Sequence, residues 1–210
     1  MKKAILRTLA YADIFDYPLT FKQLHRFLIN PQPISQTSLK KFLKPQRYYY
    51  LKGRKKIIRL CRRREQWSRT KLILARRVGS WLRIIPMIKM VAVTGGLAMA
   101  NSDCDDDLDL LIVANRDRLW LTRLLAVLLI ELVAKRRRPD DLPTGSQICN
   151  KICLNMFLDE AHLRVPKKEQ DLYCAHEVCQ LLPLWDRDDI YQKFINQNQW
   201  VKKYLANWKP

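Results

Sequence analysis

Two glycines close one apolar strand, and after a gap of ten residues two carboxylates open another; no other feature constrains this chain as strongly. Met90-Val91-Ala92-Val93 runs into Thr94-Gly95-Gly96, and a polar, acidic connection returns into Asp107-Leu108-Asp109-Leu110-Leu111-Ile112-Val113. Glycines at a strand end let the backbone approach a phosphate closely, and free N–H groups there can cradle it. Residues two apart in a strand share a face, so Asp107 and Asp109 point the same way. Adjacent carboxylates repel unless a cation sits between them, and Mg²⁺ favours one or two carboxylates plus phosphate oxygens. The pattern therefore predicts a metal–nucleotide site, with Gly95 and Gly96 on the phosphates and Asp107 and Asp109 on Mg²⁺ or Mn²⁺. Ser102 either contacts phosphate or makes an ordinary turn. Asp105 and Asp106 either support the metal from behind or are solvated loop residues.

Charge divides the chain sharply. It holds 39 Lys and Arg against 20 Asp and Glu, a formal +19. Residues 1–90 carry 23 of the basic residues and 3 of the acidic ones, whereas residues 91–210 carry 16 and 17. A segment that basic attracts polyanions, nucleic acid first, through phosphate neutralisation and counterion release. A solubilising face or attraction to anionic lipid is the alternative.

The basic segment has internal order. Ile5, Leu6, Leu9, Ala12 and Ile14 recur at close to helical spacing, and Asp16-Tyr17-Pro18 breaks the run. Thr20 is placed to cap a second helix to about Ile29; Ser35 or Thr37 caps a third that ends near Pro45. Arg47 to Leu51, Lys52-Gly53 and Arg54 to Leu60 read as a hairpin. Three helices and a ribbon predict a winged helix, with the third helix in a DNA groove and the wing on the backbone. The expected DNA or RNA contacts are Lys40, Lys41 and Lys44 on that helix, Arg54, Lys55 and Lys56 on the wing, and Arg62, Arg63 and Arg64 beyond it. Tyr48 to Tyr50 either stack on bases or pack the ribbon. Glu65 to Ile85 then reads as one long helix with Trp67, Leu74, Val78, Trp81 and Leu82 on its apolar positions and Arg69, Lys71, Arg76, Arg77 and Arg83 on other faces.

At Thr94-Gly95-Gly96 and Asp107-Leu108-Asp109-Leu110 the chain resembles the nucleotidyltransferase superfamily of the DNA polymerase beta type. Val91 to Val113 is similar to a bacterial group that sets a winged-helix segment before such a domain. Asn150-Lys151-Ile152-Cys153-Leu154-Asn155, Ala175-His176-Glu177 and Asn198-Gln199-Trp200-Val201 are similar to that group as well. The resemblance implies an α/β (α+β) chain: a winged helix over residues 1–62, a connecting helix over 63–86, and a nucleotidyltransferase-type mixed sheet flanked by helices over 87–210. It also implies transfer of a nucleoside monophosphate from a nucleoside triphosphate to an acceptor, with Asp107 and Asp109 as the catalytic, metal-holding pair. Active members carry a third carboxylate on a neighbouring strand. Here the matching strand, Ile148 to Leu158, offers Asn155 as its inward polar residue. An amide cannot replace a carboxylate base, so a nucleotide-sensing DNA- or RNA-binding regulator stands as the alternative to the enzyme.

The remaining features set limits. The apolar run Leu119 to Ala134 is interrupted by Arg123 and Glu131 and falls short of the roughly 20 residues that a membrane span needs. It reads as a buried helix on the sheet. Lys2-Lys3 is not followed by a signal-peptide core, and six cysteines without a Cys-x-x-Cys pair predict reduced thiols in a cytoplasmic protein. Leu172 to Leu184 and Ile190 to Leu205 read as helices, packed on the sheet by Trp185, Trp200 and Trp208. His176-Glu177 is either an acid/base pair or structural.

Overall fold

A computed structural model describes residues 1–141 and 148–210. The chain divides into two compact units. The first comprises Met1–Arg63, Pro166–Cys179 and Gln199–Pro210; the second comprises Arg64–Val165 and Gln180–Asn198. This division differs from the contiguous boundaries read from the sequence. Two stretches of the carboxy-terminal part pack with the amino-terminal helices instead of with the sheet.

In the first unit, α1 (Lys2–Ile14), α2 (Phe21–Arg26) and α3 (Gln36–Lys40) enclose Ala4, Ile5, Ala12, Leu19, Leu24, Leu28, Leu39 and Tyr49. The caps fall where side-chain chemistry places them. Thr20 Oγ1 accepts from Gln23 N at 3.3 Å while Gln23 Oε1 accepts from Thr20 N at 2.9 Å, and Ser35 Oγ accepts from Ser38 N at 3.1 Å. The expected wing does not form. Gly53 makes its turn at φ +87°, but Ile57 then begins α4 (Ile57–Leu82), so Arg54 to Leu60 never returns as a strand. The pairing that remains is an isolated bridge between Leu19 and Tyr49. Ile57-Ile58, Leu60 and Cys61 sit at helical spacing, and the long helix claims them. The later stretches join this unit through polar anchors. Asn207 Oδ1 accepts from Ile34 N at 2.6 Å, Asn207 Nδ2 donates to His25 O at 2.8 Å, and Trp208 Nε1 donates to Cys179 O at 2.9 Å. Trp200 and Trp208 therefore serve this unit, and not the sheet. His176, on α7 (Leu172–Gln180), is buried between Tyr11 and Phe27, with ring centroids at 4.1 and 5.7 Å.

The second unit is a mixed α/β layer. Its four strands are β1 (Ile88–Val93), β2 (Leu108–Ala114), β3 (Ile152–Asp159) and β4 (Leu182–Asp186), in the spatial order β3-β2-β1-β4. β1 runs antiparallel to both β2 and β4, and β2 pairs parallel with β3. β4 replaces the end of a predicted helix: α7 stops at Gln180, and Pro183 suits an edge strand. A short turn of helix, α5 (Gly95–Ala98), follows β1; α6 (Leu119–Val133) follows β2, and α8 (Ile190–Gln197) follows β4. On one sheet face Val91, Val93, Leu108, Leu110, Ile112 and Ile152 join Ala75, Val78 and Leu82 of α4 and Ala126 and Ile130 of α6 in the core. α6 is buried on that side alone. Trp120, Leu124, Leu128 and Leu132 on its far side are more than half exposed. Among the described residues no helix is long and apolar enough to cross a membrane.

Candidate metal centre and basic surface

The opposite sheet face carries the polar chemistry. Val93 pairs with Leu110, and Thr94 N donates to Asp109 O at 3.1 Å, so the next pair in the ladder is Thr94 with Asp109. Directly opposed residues share a face, and Asp109 is aligned with Cys153 of β3. Thr94, Asp109 and Cys153 thus form a row across three strands. Asp107, two residues before Asp109, adds to the same face. The ligand-type atoms of Asp107, Asp109 and Cys153 all lie within 4.8 Å of one another.

Gly95 closes the row. Its φ of +63° is a conformation that side chains disfavour, and a Cβ placed there would stand 3.4 Å from Asp109 Oδ2. The strand-end turn and the carboxylate are therefore neighbours. Gly96 is exposed on the same turn, and its carbonyl accepts from Asn101 N at 2.8 Å.

Electrostatics make the group uneven. Asp107 is bonded to Arg137, whose Nη1 donates to Oδ2 at 2.6 Å, and its side chain is only 9% exposed. Arg137 reaches it because residues 135–137 run beside β3: Ile152 N donates to Lys135 O at 2.8 Å and Arg137 N to Ile152 O at 2.9 Å. Burial, with the Asp107 charge second, pushes Asp109 above the usual carboxylate range. Burial and the adjoining Asp109 charge push the Cys153 thiol up to about 12.

The loop before β2 is fastened from within. Ser102 N donates to Ser68 Oγ at 3.0 Å, the Ser102 hydroxyl donates to Asp103 O and Asp106 Oδ2 at 3.3 Å each, and Asp103 N donates to Asp106 Oδ2 at 2.6 Å. Ser102 is 1% exposed, so it is a turn residue with its groups engaged. Both Asp105 and Asp106 are exposed, and Asp106 shapes that turn through its Oδ2. Arg64 holds Asp103 at 3.4 Å, and Lys71 donates to Asp106 O. Lys71 is 3% exposed and belongs to the buried face of α4, correcting its expected place on an outer face. Burial lowers its pKa. The stripe Ser68, Lys71, Ala75, Val78, Leu82 carries the 3–4 spacing that marks it as inward.

Asn155 stands apart from Asp107, Asp109 and Cys153, the candidate metal-binding group. Asp109 aligns with Cys153 and Leu111 with Met156, so three steps on β3 match two on β2. The extra residue is a bulge. Leu154 turns into the core, Asn155 is exposed, and the third corner passes to Cys153. Strand alternation alone points to Asn155; the Ile152-Cys153-Leu154 tract names Cys153 only once the register is known. His176 lies in the first unit among aromatic rings, and burial lowers it to about 4, the state of a neutral core histidine.

The basic residues separate into two kinds. Lys40, Lys41, Lys44, Lys55, Lys56, Arg62 and Arg63 are exposed. Arg54 instead pairs with Asp13 at 2.8 Å and with Asp16, and Arg64 belongs to the second unit through Asp103. The first unit holds 21 Lys and Arg against 5 Asp and Glu, so the positive excess stays with it after its boundaries are redrawn. No protein-family model matches this chain, and no curated protein matches it.

Proposed function

We propose that the second unit binds a divalent metal–nucleoside triphosphate complex and supports nucleotidyl transfer to an acceptor, while the first unit supplies a nucleic-acid-binding surface. The observation that carries this reading is Gly95 against Asp109. A phosphate held by backbone N–H groups and a cation held by carboxylates must be neighbours, and the turn at Gly95 lies beside Asp109: a Cβ added at that glycine would stand 3.4 Å from Oδ2. Asp107 and Asp109 are the residues that would hold the cation, which supplies charge neutralisation on the phosphate chain when bound. In this reading the backbone N–H groups around Gly95 and Gly96 would donate to phosphate oxygens. Arg137 holds Asp107 in place and balances its charge.

The oxygen donors fit Mg²⁺ or Mn²⁺; the thiol at the third corner does not belong to such a set. That corner favours the second reading, nucleotide sensing without turnover, because no third carboxylate joins the group among the described residues. In the first unit, Lys40, Lys41, Lys44, Lys55, Lys56, Arg62 and Arg63 would neutralise phosphates in the manner of a helix-turn-helix module without its ribbon. The proposed setting is the cytoplasm.

Calorimetric titration with each nucleoside triphosphate and Mg²⁺ or Mn²⁺ tests the site. Binding should need both the metal and the carboxylates, and vanish in Asp107→Ala/Asp109→Ala. Folded wild type that binds no nucleotide overturns the reading. Metal-dependent pyrophosphate release separates transfer from sensing.

A further inference from the structure

We propose that Asp107, Asp109 and Cys153 form a mixed carboxylate–thiolate site that takes a thiophilic divalent cation, Zn²⁺ foremost, in preference to Mg²⁺. The inference rests on the metal site of the preceding reading and changes its metal.

The donor set carries it. Two carboxylate oxygens and one sulfur meet within 4.8 Å of one another. Thiolate suits Zn²⁺, whereas Mg²⁺ demands oxygen ligands in near-octahedral geometry. Three protein ligands with a fourth position open to water or substrate is the arrangement of catalytic zinc sites. Zinc bond lengths of about 2.0–2.3 Å put tetrahedral ligand atoms about 3.5 Å apart, so side-chain rotation closes the remaining gap. A coordinating thiol is deprotonated by the cation itself.

A second observation points to a ligand at the same place. Thr94 Oγ1 is buried and has no hydrogen-bond partner among the described residues. Thr94 is 9% exposed and shares the sheet face of Asp109 and Cys153. A buried hydroxyl left without a partner is unfavourable. A water or phosphate oxygen on the open position of the metal would satisfy it. Arg137 on Asp107 already balances one carboxylate, which leaves a net charge suited to one divalent ion.

The test uses the full chain, freed of metal, titrated with Co²⁺ as a spectroscopic substitute for Zn²⁺. Expected are one ion per chain, a sulfur-to-cobalt charge-transfer absorption, displacement by Zn²⁺, and resistance to a large excess of Mg²⁺. Cys153→Ser should abolish the absorption and weaken Zn²⁺ binding by about a hundredfold or more, beyond what loss of an outer partner costs. Cys104→Ser/Cys149→Ser should retain the absorption, since these two thiols lie outside the group. Cys153→Asp should shift preference toward Mg²⁺. Cobalt bound without the sulfur band, or displaced by Mg²⁺, overturns the thiophilic assignment. If nucleotide and Mg²⁺ still bind in that case, the nucleotide-site reading survives. Folded protein that binds neither metal nor nucleotide ends both.

Discussion

The two units use charge in opposite ways. In the second, charged side chains are built into the structure: Arg137 on Asp107, Arg64 on Asp103, Lys71 on the Asp106 carbonyl, and Lys151 on Asp141 at 2.6 Å. In the first, Lys41, Lys44, Lys55, Lys56 and Arg62 are exposed and make no ion pair among the described residues. There Arg54 is held between Asp13 and Asp16. A basic count alone does not separate these cases. Partnered charges fix a loop and a site, while exposed ones set the field a polyanion would meet. Substitutions in the second unit should therefore damage binding and stability, and those in the first should change salt dependence.

The largest expected effect breaks the partnered side. Gly95→Val forces a β-branched residue into φ +63° and pushes its Cβ toward Asp109 Oδ2. Metal and nucleotide affinity should fall by orders of magnitude, as in Asp107→Ala/Asp109→Ala, while circular dichroism retains the fold. Near wild-type affinity in Gly95→Val would show that the turn and the carboxylates do not act together.

Next come two buried titratable groups, one in each unit. His176 has its pKa lowered to about 4 by burial against an unfolded value of about 6.5. The neutral ring is favoured in the fold, so its contribution is full above about pH 6.5 and is lost as pH falls toward 4. Up to about 3 kcal/mol is at stake. His176→Phe, which keeps a ring between Tyr11 and Phe27, should flatten the acid limb of urea-unfolding stability. An unchanged limb would place the loss in other groups. Lys71→Met removes the ammonium beneath Asp106 O and should cost about 1–2 kcal/mol in the same measurement. It should also loosen the loop that sets Asp107, so Co²⁺ affinity should fall with it.

How far these features were legible depends on whether neighbours along the chain decide them. Thr20 with Gln23, Ser35 with Ser38, the shared face of Asp107 and Asp109, and the glycine turn are local patterns, and the sequence displays them. That no wing forms was not legible, because Ile57 to Cys61 suit strand and helix alike, and continuation into a long helix decides the matter. Pro183 marks the end of the helical run in the sequence, but that the chain continues as a strand there is decided by pairing with β1. Cys153 and Arg137 depend on register: a one-residue bulge in β3 exchanges Asn155 for Cys153, and residues 135–137 bring a guanidinium to Asp107 from thirty positions away. Spacing records none of this. Lys71 was different, since its place in the stripe from Ser68 to Leu82 can be read from the sequence directly.

The smallest effects sharpen the comparison where the sequence draws no line, inside Arg54-Lys55-Lys56. If exposed charge is what meets nucleic acid, Lys55→Ala/Lys56→Ala should lower the slope of log affinity against log salt by about one for each phosphate no longer neutralised, uniformly across sequences. Stability should hardly move, because both side chains are exposed and make no ion pair among the described residues. Arg54→Ala should do the reverse. Its guanidinium is engaged with Asp13 and Asp16, so the salt slope should stay near wild type while the turn at Gly53 and the end of α1 loosen slightly. Fluorescence anisotropy with a labelled oligonucleotide over a salt series, alongside urea unfolding of the same two variants, reads both quantities. A salt slope that falls equally in both variants would mean that Arg54 releases its aspartates to bind phosphate. The line between partnered and exposed charge would then hold in the second unit and fail in the first.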